Sequence, residues 1–333
     1  MAIISTPRSG NTWLLHLLSK LYHAATLTFH SPIEIDWDNL PAACILQLHW
    51  HPEPAFLAHL DNGGFRVVVL SRHPLDVLIS ILHFSLHDPT ARWLEGEGGN
   101  ERPIYGAMPR STAFFDYATG PRAKALLSIS LEWWSMAGCH VLHYEDLVAQ
   151  TSVELTKLTE ALGIAPVTSV EMAMSATTLP KLRQLTKNNN HFWQGQSNLW
   201  KKLLMAAEAM PIARAHPEVF EKLGYRCDPN PETTGSQADA DWVKLVWAQL
   251  TEELHVLKHY KHNIGVLEKE LAERRQELDA ARSELGRMHA AFSGLQMVTN
   301  NLREHHETLL NEFTTLQEGM APGALELAAR VGR

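Results

Sequence analysis

Residues 1–22 read MAIISTPRSGNTWLLHLLSKLY. The run from Ile3 to Thr6 is apolar and β-branched. Pro7-Arg8-Ser9-Gly10 forms a tight turn, and Leu14, Leu15, Leu17, Leu18 and Leu21 then repeat with a helical period. A strand passes through a short loop into a helix. Such a turn aims backbone N–H groups and a helix N-terminus at one point, which makes an anion site. Ser9, Gly10, Asn11 and Thr12 line this turn with donors and a small residue, and Arg8 adds a permanent charge on a planar fork. A nucleoside-triphosphate loop needs G-x-x-x-x-G-K-[ST], with a lysine at the phosphates and a hydroxyl on Mg²⁺. The leading glycine and the lysine are both missing, so the loop suits a phosphate with less need of a metal. A plain strand-to-helix turn is the other reading of this stretch taken alone.

Further along, CILQLHW, FRVVVLSR and CHVLHYEDL read as buried strands ending in polar residues, with helical patterns between them. The alternation predicts an α/β fold, a parallel sheet flanked by helices. Ligands in such sheets sit beyond the carboxyl ends of the strands. Arg8, His49, Arg72 and Tyr144 stand there.

Bulk properties exclude several classes. A net charge of −8 argues against a nucleic-acid partner. Cys44, Cys139 and Cys227 are odd in number and far apart, so neither a disulfide framework nor a metal ligand set is expected, and a reducing, cytoplasmic setting is. No apolar run is long enough for a transmembrane segment, and no signal peptide is expected at the start.

After about residue 227 the style changes. Residues 228–241 (DPNPETTGSQADAD) read as a linker. From Leu257 and Tyr260 to Phe313 and Leu316, an a/d heptad seam runs through nine repeats. This predicts a coiled coil over 242–318, about 110 Å long at 1.5 Å per residue, a homo-oligomer, and a tail over 319–333. Arg274, Thr299 and His306 are polar seam positions. Pro322 and Gly323 are expected to end the helix. An amphipathic helix packed on the first domain is the alternative.

Five stretches in order carry a resemblance to a known family. The loop TPRSGNTW resembles the phosphosulfate loop of the sulfotransferases, usually P-K-S-G-T-T-W. SRHPLDVLIS resembles their second motif, R-[ND]-P-x-D-x-x-x-S. HWHPEPAFLAHL resembles the strand-end segment that carries the catalytic histidine, HYEDL the Y-E-D-L segment, and HFWQGQSNLWKKLL the late glycine segment, F-R-K-G-x-x-G-x-W-[KR]. The resemblance covers about residues 1–225.

It implies a domain over 1–227 that moves a sulfuryl group from 3′-phosphoadenosine 5′-phosphosulfate (PAPS) to an acceptor hydroxyl, with no metal. His49 is implied as the base, with His51 the competing candidate. Arg8 and the loop N–H groups are implied to steady the leaving phosphate, and Arg72 and Ser80 to grip the 3′-phosphate under Gly195. Tyr144 is implied beside adenine, and Thr178 or Leu179 flanking it. Trp13 reads equally as an adenine contact or as core. Asp76 is expected to order the Arg72 turn, and Glu145 and Asp146 to cap the next helix. The departures are Arg8 for lysine, Trp193 and Gln194 for Arg-Lys, and Asn198-Leu199 for Gly-Asp. Lys181, Arg183 and Lys187 are candidate replacements for the lost charge. Residues 87–120 read as an irregular loop whose aromatics either meet the acceptor or form their own small core. A weakly active scaffold, whose coiled coil recruits a partner, is the alternative function. A nucleotide kinase is disfavoured by the missing Gly-Lys-Ser.

Overall fold

A computed structural model describes residues 1–88, 93–94, 101–185 and 193–331. Lys187 therefore lies outside the described residues, as does part of the segment 87–120.

The strands β1 (Ala2–Ile4), β2 (Ala25–Thr28), β3 (Cys44–Leu48), β4 (Val67–Ser71) and β5 (Cys139–His143) form one parallel sheet in the order β2-β3-β1-β4-β5. The register aligns Ile4 with Leu48 on one side and Val69 on the other, and Val69 with Val141. The carboxyl ends of β3, β1, β4 and β5 are thus neighbours in that order. Side-chain alternation splits the core. Ile3, Ile45, Val68 and Leu70 pack under α1 (Asn11–Tyr22) with leucines of α6 (Tyr144–Ala149) and α7 (Thr151–Leu162). Ile4, Leu46, Leu48 and Val69 face the other way, against α2 (Pro54–Asn62) and Trp133 of α5 (Pro121–Trp134).

A third cluster lies beside the sheet. It joins α3 (Pro74–Ser85), α4 (Thr112–Thr119), α10 (Trp200–Leu203), α11 (Ala206–Ala215) and α12 (Pro217–Lys222). Among the described residues this region also holds the α-helices α8 (Val170–Ala176) and α9 (Leu179–Leu185). Helix α13 runs from Gly235 to Val331.

Four features differ from the sequence reading. β2 carries no strong apolar pattern, because as an edge strand it is largely exposed. β5 is the opposite edge and only half-buried, with Val141 facing solvent, rather than a fully buried strand. The segment 87–120 holds α4, started by Ser111, whose hydroxyl accepts the Phe114 N–H; Phe114 and Tyr117 are core, and Tyr105 is exposed. Helix α13 begins inside the stretch read as a linker and continues past Pro322 and Gly323, since a proline removes one ladder bond rather than the whole ladder.

The chain divides into two compact units, Met1–Gln249 and Leu250–Arg333. The root of α13 belongs to the first. Thr234 Oγ1 caps it by accepting the Gln237 N–H. Ala238 and Trp242 point into the third cluster, and Arg110 binds Asp239 at 3.0 Å and Glu208 at 3.1 Å. In the second unit, the apolar seam residues from Leu257 to Leu316 are 51–66% exposed. Arg274 of the seam pairs with Glu277 on its own helix. Among the described residues, no helix is long and apolar enough to cross a membrane, and no cluster of His, Cys, Asp or Glu has metal-site geometry.

Candidate active site

The loop between β1 and α1 is shaped by two residues with left-handed backbone, Arg8 (φ 66°) and Gly10 (φ 102°). Gly10 is required twice over. Its φ disfavours any side chain, and a Cβ there would sit 2.5 Å from Cδ2 of Tyr144. No side chain caps α1, so its first amides remain available to an anion. The loop is braced from below: the Thr6 N–H donates to Ser130 Oγ at 2.7 Å, and Thr6 Oγ1 donates to the Leu126 carbonyl at 3.0 Å.

Above the strand ends lies a cavity of about 370 Å³. Arg8, Gly10, Asn11, Thr12 and Trp13 line it from the loop and α1. His49 lines it from the end of β3, Arg72 from β4, Ser80 from α3, Tyr144 from α6, and Gly195 from the late segment. Thr178, Leu179, Trp193, Gln194 and Leu199 join them. Ser9 is the exception: it is buried beneath the loop, and its Oγ has no partner among the described residues.

Two guanidinium groups share one wall. Arg8 Nε donates to Ser80 Oγ at 3.1 Å, and its Cζ lies 4.8 Å from the Phe84 ring centre. Arg72 lies over Tyr144 at 4.7 Å and donates to the carbonyls of Arg8 (3.1 Å) and Gln196 (2.9 Å). Burial, with Arg72 adding repulsion, pushes Arg8 down to about 9. It stays protonated at neutral pH, and an anion between the two would relieve the strain of assembling them. Burial also raises the Tyr144 hydroxyl, which stays neutral. Trp13 meets Tyr144 edge-on, with ring centres 6.3 Å apart, so it contributes both to a cavity wall and to packing.

The two histidines part company. His49 Nδ1 lies 2.8 Å from the Ser5 carbonyl, which can only accept. Nδ1 therefore carries the proton, and the neutral ring keeps its lone pair on Nε2. Asn11 Nδ2, itself a donor, lies 3.3 Å from the same nitrogen and makes no hydrogen bond to it in this tautomer. His51 does not line the cavity; its Nδ1 pairs with Glu132 at 2.9 Å.

Three expectations need correcting. Asp76 does not order the Arg72 turn: its carboxylate accepts the backbone N–H groups of Asn198 (2.6 Å) and Trp200 (2.9 Å), tying the late segment to α3. Glu145 does not cap its own helix. It accepts the His73 N–H at 2.9 Å and the Tyr225 hydroxyl at 2.9 Å, bracing the backbone next to Arg72. Trp193, where the family has arginine, is a buried packing residue stacked on His83 with centres 3.8 Å apart. Of the candidate replacement cations, Arg183 donates to the Trp193 carbonyl and Lys181 to the Ser175 carbonyl, and neither lines the cavity. Trp93, one of the aromatics of the segment 87–120, also lines the cavity, as does Gln47, which escaped the sequence reading. Gln47 stands two residues before His49, on the same strand face, and that parity was the available signal.

A family model described as "Sulfotransferase domain" matches residues 1–212. No curated protein sequence matches the chain. Among solved structures, the mouse sulfotransferase SULT7A1 complexed with PAP is similar at a TM-score of 0.51 and 17% identity, over 66% of this chain and 84% of that one. Retinol dehydratase in complex with androsterone and inactive cofactor PAP aligns at a TM-score of 0.45 and 13% identity, over 70% of this chain and 82% of that one. The first likeness is one of fold. The family match is stronger, for it takes in every strand of the sheet and each loop that meets the cavity through Gly195: the chain belongs to the sulfotransferase family.

Proposed function

We propose that the cavity binds PAPS and that the protein transfers its sulfuryl group to the hydroxyl of an acceptor. One observation carries this reading. Two guanidinium groups from adjoining strand ends converge beside an uncapped helix N-terminus, with a correctly tautomerised histidine on the same cavity wall. The volume and the two half-buried cations fit a nucleotide with two anionic ends.

Arg8, with Asn11, Thr12 and the first amides of α1, holds the 5′-phosphate and steadies charge as it leaves. Arg72 and Ser80 hold the 3′-phosphate beside Gly195. Tyr144, Trp13, Thr178 and Leu179 enclose the base. His49 Nε2 accepts the acceptor's proton as its oxygen bonds to sulfur. The bond between sulfur and the bridging oxygen breaks, and that electron pair stays on the phosphate. His51 has no part in this step. Residues 257–316 serve as a coiled coil with further copies of the chain, and the three free cysteines support a reducing, cytoplasmic setting.

Thermal unfolding with 3′-phosphoadenosine 5′-phosphate (PAP) tests the reading. A ligand at 100 times its Kd adds about 2.7 kcal/mol to the folded state. PAP should raise the midpoint, and ATP with Mg²⁺ should not. Transfer from PAPS to a panel of carbohydrate, phenol and lipid hydroxyls then identifies the acceptor. A midpoint moved only by ATP with Mg²⁺ would replace this reading by a kinase.

A further inference from the structure

Trp193 lines the cavity, and its indole is held from behind. His83 of α3 stacks on it with an interplanar angle of 7°, and Trp242 of α13 meets it edge-on, with ring centres 6.0 Å apart at 79°. Trp242 also meets His83 edge-on at 6.3 Å. Trp242 is buried and does not line the cavity. It lies beyond the family match, which ends at residue 212. Around this stack, the late segment is pinned at its backbone: Arg183 binds the Trp193 carbonyl, Arg72 the Gln196 carbonyl, and Asp76 the N–H groups of Asn198 and Trp200. The backbone ties begin and end the segment, and among the described residues the rings of His83 and Trp242 are the aromatic walls that set the angle of the Trp193 ring.

The helix root that brings Trp242 there is itself fixed. Arg110 grips Asp239 one turn earlier, and Ala238 is buried one helical turn before Trp242. A Cβ at Gly235 would lie 2.5 Å from Arg110 Nη1, so the root approaches that arginine as closely as a glycine allows.

We infer that Trp242 is a positioning residue for the nucleotide: through Trp193 it sets the wall that carries Gln194 and Gly195 against the bound cofactor. The inference rests on the proposed occupancy of the cavity by PAPS. Where the family relies on cations at these two positions, this chain relies on an aromatic stack completed by a helix outside the family domain. The loss of charge at Trp193 and Gln194 is then compensated by rigidity of the wall.

The test uses the full-length chain and calorimetric titration with PAP. Trp242→Ala should raise the Kd about tenfold, the scale of one lost aromatic pair plus the loosened ring. It should raise KM for PAPS while leaving KM for the acceptor and kcat within about twofold. Trp242→Phe, which keeps a ring edge, should restore most of the affinity. Val243→Ala, on the exposed face of the same turn, should change nothing. An unaltered Kd in folded Trp242→Ala overturns the inference. Should that variant fail to fold, Trp242→Leu keeps an apolar wall without a ring, and an unaltered Kd there overturns the inference equally. Wild-type protein that does not bind PAP overturns the functional reading itself, and the inference with it.

Discussion

In the proposed mechanism, the chemistry rests most directly on His49 and the cradle on Gly10. With Nδ1–H committed to the Ser5 carbonyl, His49 offers its lone pair at Nε2. His49→Ala should lower kcat by about 10²–10⁴ and leave the PAP affinity nearly unchanged. Near-normal turnover in that variant, with a loss in His51→Ala instead, would reverse the assignment. Gly10→Ala should act oppositely. The left-handed backbone alone costs about 1–2 kcal/mol for a residue with a side chain, and the new Cβ would displace the Tyr144 ring that underlies Arg72. PAP binding should fall sharply in titration, while a wild-type Kd would mean that the ring moves aside without consequence. At this scale the sequence was readable for placement: Arg8, Arg72 and His49 were expected at strand ends, and all three line the cavity there. It was opaque where the task is long-range. Nothing adjacent to Asp76 reveals that its partners are amides 122 and 124 residues away, and a tryptophan in an arginine position says only that charge is gone, not that His83 and Trp242 receive the ring.

Among the elements, α3 and α12 share a device that makes their starts sensitive to acid. His73 precedes α3 and donates Nε2–H to the Arg226 carbonyl at 3.0 Å, and His216 precedes α12 and donates Nε2–H to the Ala118 carbonyl at 2.6 Å. Their Nδ1 atoms are buried without partners among the described residues. Protonation would therefore place a charge and an unmatched N–H in the interior. Burial lowers both below the usual histidine value of 6.5. The sign follows: the unfolded chain binds these protons below 6.5 and the folded chain resists them, so stability is complete above that pH and is lost as pH falls through 6.5 towards the folded values. The unfolding midpoint should drop between pH 7 and 5.5, and His216→Gln should show a shallower drop than wild type. Parallel pH profiles for the two proteins would refute this. The elements themselves were legible where burial is symmetric, as in β3 and β4. β2 was missed because an edge strand needs no continuous apolar run, and α4 because a glycine- and proline-rich approach masks the Ser111 cap.

Over the whole chain, the heptad seam was the plainest signal, and the start of its helix the least plain. Asp228 to Gly235 has the composition of a linker, yet Thr234-x-x-Gln237 is a start signal, and Ala238 and Trp242 repeat at four residues on one face. The consequence is a definite cutting point. A chain ending at Gln249 should remain folded, bind PAP and run as a monomer in light scattering, while the full chain runs as an oligomer through its exposed seam. A chain ending at Asp228 loses the buried Trp242 and the Arg110–Asp239 pair. Removing a large core aromatic costs about 3–5 kcal/mol, so its midpoint should fall well below that of the longer fragment. Equal midpoints would show the root to be dispensable, and a monomeric full-length chain would sink the coiled-coil reading.

The packing of Trp242 into the core also has a consequence in time. Synthesis proceeds from the first residue at about 5–20 residues per second. The loop that begins the site is made first, and the ring that completes its far wall is made 229 positions later, counting from Trp13 to Trp242. For roughly 10–50 s the nascent chain carries the phosphate loop without the wall behind Trp193. On the positioning role inferred for Trp242, the nucleotide site therefore reaches its full affinity only after translation has passed residue 212 and entered the helix beyond it.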